Sequence, residues 1–283
     1  MGRLGAKTPD FIGRGRTRAE EGQLGNNPGQ KERGFGMNNT SGLAGDLVAM
    51  VLAAGRGMRM RPLTDHTPKP LLPVQGKPLM QWPMDALHAA GLRRFVINTA
   101  WLGDQIPSTM APWAAHHPNT DLVYSHEGQD FGYALETAGG IVRALPLLGD
   151  IFWVTAGDVF VPGFDFTEEA VRRFAAGTRL AHLWLVPNPE HNPRGDFGLS
   201  GEGLALNTDE APRWTFSTIG LYRRALFEAP WCDILPGNPQ GTAAPLAPLL
   251  RRAMDAGLVS AEIYHGAWTD VGTPERLAQL NAI

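Results

Sequence analysis

The sequence predicts an α/β domain built on a single mixed, mostly parallel sheet flanked by helices. Three observations lead there. Short apolar runs alternate with helix-period segments from residue 46 onward, which is how a largely parallel sheet with crossover helices reads. The run LVAMVLAA over 47–54 is apolar throughout, as expected of a central strand buried on both faces, and it feeds directly into a glycine-bent loop. At 283 residues and 43% hydrophobic content the chain can bury one substantial core.

In order, strands are expected at 47–53, 94–98, 121–125, 151–156 and 180–186. Helices are expected at 78–90, 101–116, 136–147 and 167–176, the first stopped by Gly91. The second half is less regular. GDFGLSGEGLAL and RWTFSTIGLYRR read as antiparallel strands joined by turns, followed by helices near 245–256 and 274–281. Residues 1–45 hold 11 of the 34 glycines and almost no apolar periodicity, so they are expected to form a disordered tail before a domain spanning 46–283. The opening residues lack the apolar segment of a secretory signal.

Composition excludes several classes. The net charge of −3 gives no reason to expect a nucleic-acid or membrane partner, and no apolar run approaches the ~20 residues of a membrane helix. The lone Cys232 excludes an internal disulfide and a cysteine-rich zinc site, and fits a reducing cytoplasm. A monomer or weak dimer is expected. There is no GxSxG, HExxH or GxxxxGK[ST], and the third glycine and acidic residue of a dinucleotide fingerprint are missing.

What remains is LAAGRGMRMRPLTDHTPKP, Leu52 to Pro70. Gly55 and Gly57 let a loop aim successive backbone N–H groups at an anion. Arg59 adds a planar fork that matches phosphate oxygens, and Lys69, between Pro68 and Pro70, adds a point charge on a stiffened segment. Together they suit a triphosphate or its pyrophosphate product. Asp158, after the apolar run IFWVTA, is placed at the carboxyl end of a strand, where open α/β sheets bind ligands. Asp270, in WTDVGTPERL, turns through Gly272 into a helix; either aspartate alone is also an ordinary turn residue. Glu136 and Thr137, before Gly139 and Gly140, head a helix that offers polar groups to hydroxyls, unless Thr137 is simply the N-cap. No lysine follows Lys77, so a second-half cation must be arginine; Arg194 in NPEHNPRGDFGL is the candidate. Asn98 and Trp101 are candidate lining residues of a base pocket, Trp101 alternatively packing within its helix.

The pattern LAAGxGxRMxPLTxxxPKP resembles the signature of the sugar-1-phosphate nucleotidylyltransferases, or nucleotide-sugar pyrophosphorylases, over roughly residues 47–281. The resemblance implies a Rossmann-like sheet of the nucleotide-diphospho-sugar transferase type and an enzyme that joins a nucleoside triphosphate to a sugar 1-phosphate, releasing pyrophosphate. It implies nucleotide binding by Leu52, Ala53, Ala54, Gly55, Gly57 and Asn98, catalysis by Arg59 and Lys69, and Mg²⁺ held by Asp158 and Asp270. Sugar contacts are implied for Glu136, Gly139 and Gly140, with Arg194 and Asp196 as further candidates; Ala138 stands where the family usually has glycine. HTPKPLLPV, LETAGGIVRALPLLGD and NPEHNPRGDF are similar to the branch that uses UTP and N-acetylmuramate 1-phosphate in peptidoglycan recycling. The alternatives are a mannose-1-phosphate guanylyltransferase or a non-catalytic nucleotide-sugar-binding homologue. The last is disfavoured because Arg59, Lys69, Asp158 and Asp270 are all present.

Overall fold

The structure is a computed structural model that describes residues 47–210 and 212–282. The tail expected over 1–45 lies outside the described residues.

The strands are β1 (Val48–Leu52), β2 (Pro73–Val74), β3 (Lys77–Pro78), β4 (Arg94–Thr99), β5 (Asp121–His126), β6 (Ile151–Ala156), β7 (Val159–Phe160), β8 (Ala181–Val186), β9 (Phe197–Leu199), β10 (Ala205–Leu206), β11 (Arg213–Arg223), β12 (Val259–Ile263) and β13 (Thr269–Asp270). The helices are α1 (Gln81–Ala89), α2 (Gln105–His116), α3 (Glu127–Phe131), α4 (Glu136–Ala144), α5 (Glu168–Ala176), α6 (Leu246–Asp255) and α7 (Pro274–Asn281).

A nine-stranded sheet runs β10-β9-β11-β6-β1-β4-β5, with β8 on β11 and β12 on β8. Pairings β1–β4, β1–β6 and β4–β5 are parallel, whereas β11 runs antiparallel to both β6 and β8. The expected mixed, mostly parallel class is borne out. Because β1 is central, its alternate residues face opposite layers: Val48 and Met50 join a core completed by α4 and α6, while Ala49 and Val51 join one completed by α1, α2 and α5. The chain leaves β1 toward β4 and returns on its other side as β6. That reversal opens a crevice at the carboxyl ends of the strands.

Several expected boundaries move. Helix α1 starts at Gln81 rather than 78, because Gln75 and Gly76, at φ 49 and 85, make a tight turn that pairs β2 with β3. Helix α2 starts at Gln105 rather than 101, since Leu102 sits at φ 49. Helix α3 and strands β12 and β13 were not expected from the sequence. No helix among the described residues is long and apolar enough to cross a membrane.

Helix α4 packs unusually close to the loop before α6. Asn238 is fully buried at φ 44, and its side chain ties the carbonyls of Gly139 and Thr242 to the Thr242 N–H at 2.8–3.0 Å. A Cβ on Gly139 would stand 2.5 Å from the Thr242 carbonyl oxygen, which is backbone and cannot swing aside. Gly139→Ala is therefore expected to destabilise the protein by about 1–3 kcal/mol in urea denaturation.

Candidate active site

The crevice holds two adjoining cavities. The larger, about 580 Å³, is lined by the backbone of Leu52 to Gly55, by Asn98, and by Glu136 and Thr137 at the head of α4. The smaller, about 240 Å³, is polar and lined by Gly55, Gly57, Arg59, Lys69, Asp158 and Gly272, among others. Gly55, Lys69 and Asp158 line both, so the two form one continuous cleft.

The loop after β1 is fixed by its own side chains. Gly57, at φ 65, begins a 3-10 turn over Met58–Met60; a Cβ there would press on Thr64 Cγ2 at 3.0 Å and Lys69 Cβ at 3.2 Å. Buried Thr64 donates its hydroxyl to the Gly57 carbonyl at 2.8 Å. Arg56 reaches the Thr64 carbonyl and the Asp65 carboxylate, both at 2.9 Å, and its guanidinium stacks 3.7 Å from the Trp101 ring centroid. The Arg56 hydrogen bond holds the Asp65 carboxyl below the usual carboxylate range. Trp101 thus lines neither cavity; its indole N–H donates to the Thr64 carbonyl at 2.8 Å and buttresses the loop from behind. Arg56 and Thr64 went unrecognised in the sequence, although the LT of PLTD carried the signal.

Asn98, at the end of β4, accepts the Ala53 N–H at 2.8 Å and donates to Glu127 Oε1 at 2.7 Å. Glu127 is fully buried, and its second oxygen accepts the Leu135 N–H at 2.7 Å. Burial pushes this carboxyl above its ordinary value, with the Leu135 and Asn98 hydrogen bonds opposing. Glu127 was missed because it lies in a polar stretch with no apolar periodicity.

Lys69 and Asp158 form an ion pair at the junction of the cavities. Gly157 precedes Asp158 in a tight turn: a Cβ on it would crowd the Leu52 carbonyl at 3.0 Å, and the Gly157 N–H donates to that same carbonyl at 2.8 Å. Asp270 pairs with Val159 across β13 and β7, and the Val271 N–H donates to the Asp158 carbonyl at 3.0 Å, so the two aspartates stand on adjacent backbone. Asp270 is held by Arg276 and by His191 Nε2 at 2.7 Å.

Four residues expected at the sugar end, Gly139, Gly140, Arg194 and Asp196, stand outside the linings of both cavities. Gly139 and Gly140 line neither cavity: the first packs on residues 242–244, and a Cβ on the second would meet Glu127 Oε1 at 2.6 Å. Their segment's donors are also occupied, since the Ala138 and Gly139 N–H groups both reach the Ala244 carbonyl. Arg194 is exposed and lines neither cavity, because Gly195, at φ 64, turns the chain directly after it and packs against residues 213–214. Asp196 faces the scaffold, where it accepts from the Phe216 N–H at 2.8 Å and from Asn192. From the same loop, His191 is the residue that contacts Asp270.

Residues 48–283 match the model of a family described as nucleotidyl transferase. The chain is 45% identical over 240 residues to N-acetylmuramate alpha-1-phosphate uridylyltransferase of Neisseria meningitidis serogroup B, a match covering 84% of this chain and 98% of that one. It is 33% identical over 245 residues to the Caulobacter vibrioides protein of the same description, covering 81% of this chain and 93% of that one. A putative glucose-1-phosphate thymidylyltransferase from Bacillus anthracis shares the fold, with a TM-score of 0.68 at 21% identity over 83% of this chain and 94% of that one.

An alanine Cβ at Gly55 would meet nothing within 4 Å, in contrast to Gly139. Gly55→Ala is therefore expected to keep stability within about 0.5 kcal/mol of wild type while projecting into the shared wall of the cleft. Calorimetric titration with a nucleoside triphosphate is expected to show affinity weakened by about tenfold or more, as suits a backbone site that needs close approach.

Proposed function

The chain belongs to the nucleotidyl transferase family, and on that premise we propose that it transfers the uridylyl group of UTP to N-acetylmuramate 1-phosphate and releases pyrophosphate. The observation that carries this reading is the 45% identity along nearly the whole length of a relative named for that reaction.

The cleft suits the chemistry. The base lies against the backbone of Leu52 to Gly55, and the triphosphate runs over Gly55 and Gly57 toward Arg59 and Lys69. Glu136 and Thr137 face the sugar. A phosphate oxygen of the sugar 1-phosphate attacks the α-phosphorus, the bond to the bridging β-phosphate oxygen breaks, and that electron pair leaves with pyrophosphate. The nucleophile is already ionised, so no general base is required. Arg59 and Lys69 stabilise the charge that grows on the leaving group.

Asp158 and Asp270 are hard oxygen donors on adjacent backbone, which fits an ion such as Mg²⁺ that binds few protein carboxylates and completes its shell with phosphates and water. When bound, the ion would neutralise charge at the α-phosphate. N-acetylmuramate is a peptidoglycan sugar, so we assign the reaction to cytoplasmic peptidoglycan recycling by a monomer or weak dimer.

Pyrophosphate release with Mg²⁺ over a matrix of UTP, GTP and dTTP against N-acetylmuramate, glucose and mannose 1-phosphates is expected to favour UTP with N-acetylmuramate 1-phosphate. A preference for GTP with mannose 1-phosphate would reassign the substrates and leave the reaction class standing. Lys69→Ala, Asp158→Ala and Asp270→Ala are each expected to lower turnover by about 10²-fold or more. Near-wild-type turnover by any of them at saturating Mg²⁺ removes that residue from the machinery.

A further inference from the structure

Strand β11 carries a conformational anomaly where it borders the larger cavity. Its register against β8 shifts between Phe216 and Gly220, and within that bulge Thr218 sits at φ 68. A β-branched residue pays the highest steric cost in the left-handed region, where glycine fits freely. The strain is locked in from three sides. The Ser217 hydroxyl donates to the Trp184 carbonyl at 2.6 Å and accepts the Ile219 N–H at 3.2 Å, and the Trp268 indole N–H donates to the Ser217 carbonyl at 3.0 Å.

Thr218 lines the larger cavity, yet its Oγ1 is buried with no hydrogen-bond partner. Tyr222, four residues on, also lines it and also has a buried hydroxyl without a partner. The surroundings are apolar, including Phe197, Phe216, Leu246 and Leu250. Strained backbone and unsatisfied polar groups each raise the free energy of the folded protein, and both are features that collect at ligand sites.

Position selects the ligand. In the strand order β11-β6-β1, strands lie about 4.8 Å apart, which puts β11 about 10 Å from the β1 exit where the nucleotide is read. Resting on the reaction proposed above, we propose that Thr218 is a specificity-determining residue of the sugar subsite, its hydroxyl hydrogen-bonding a polar substituent of the sugar 1-phosphate. Rotation about χ1 carries the hydroxyl between staggered positions without moving the backbone, so a ligand in the cavity can recruit it.

The test compares Thr218→Val and Thr218→Ser. Valine keeps the branched shape and removes an unpaired buried hydroxyl, so its melting temperature is expected at or above that of wild type. The KM for N-acetylmuramate 1-phosphate at saturating UTP is expected to rise about tenfold, the worth of one hydrogen bond, while the KM for UTP stays within about twofold. Serine is expected to restore the sugar KM relative to valine. An unchanged sugar KM in the valine variant, or equal rises for sugar and UTP, overturns the proposal. If wild type instead turns over glucose or mannose 1-phosphate, the substrate reading fails separately, and the same KM comparison on that sugar still decides the role of Thr218.

Discussion

The cleft depends on a carboxylate that never meets water. Glu127 accepts one hydrogen bond from Asn98 and one from the Leu135 N–H, while Asn98 in turn accepts the Ala53 N–H. These contacts tie the exit of β1 to β4, to α3 and to the entrance of α4. They orient the backbone of residues 53–55 on one side of the cavity and Glu136 and Thr137 on the other. Gly140 is part of the same device, since any Cβ there would collide with Glu127. A buried carboxylate is costly unless its hydrogen-bonding capacity is met, and here both oxygens are engaged. Removing one partner leaves the others stranded in low dielectric, and the two walls of the cleft lose their common reference.

The second organising feature is charge. Asp158, the carboxylate that lines the polar cavity, is matched by Lys69, and Asp270, on the adjacent backbone, is matched by Arg276 and His191. Arg59 lines the same cavity with no carboxylate paired to it among the described residues. The cavity thereby carries surplus positive charge, which on the reaction proposed above faces the polyphosphate. On the reaction proposed above, Lys69, already held by Asp158, costs little further reorganisation as charge shifts to a departing pyrophosphate, which is the condition under which fixed electrostatics accelerate a transfer.

Much of this was legible in the sequence, for identifiable reasons. The β1 run, the glycine loop, Lys69 and Asp158 lie in contiguous segments whose apolar pattern and turn chemistry are local, so strand, bend and charge could be read directly. Glu127 could not be, because its partners stand 29 and 8 residues away and its own segment is polar. Gly139 and Gly140 are ambiguous for the same reason: their tight contacts are with residue 242 and with Glu127, and a glycine kept for packing reads the same as one kept for a ligand. The case for Arg194 rests on the absence of lysine after residue 77 and on the fork of its guanidinium, neither of which reports the turn at Gly195 that leaves it outside both cavity linings. The strain at Thr218 was hidden inside a strand pattern that gives no sign of a bulge.

The coupling between Asn98 and Glu127 is the link that both walls of the cleft share. Urea denaturation of Asn98→Ala, Glu127→Ala and the double variant measures it as a double-mutant cycle. A buried hydrogen bond to a carboxylate predicts a coupling of about 1–3 kcal/mol, with the double variant much less destabilised than the sum of the singles. Additivity within about 0.5 kcal/mol would mean that the two residues act independently, and that the walls of the cleft are set by something other than this link.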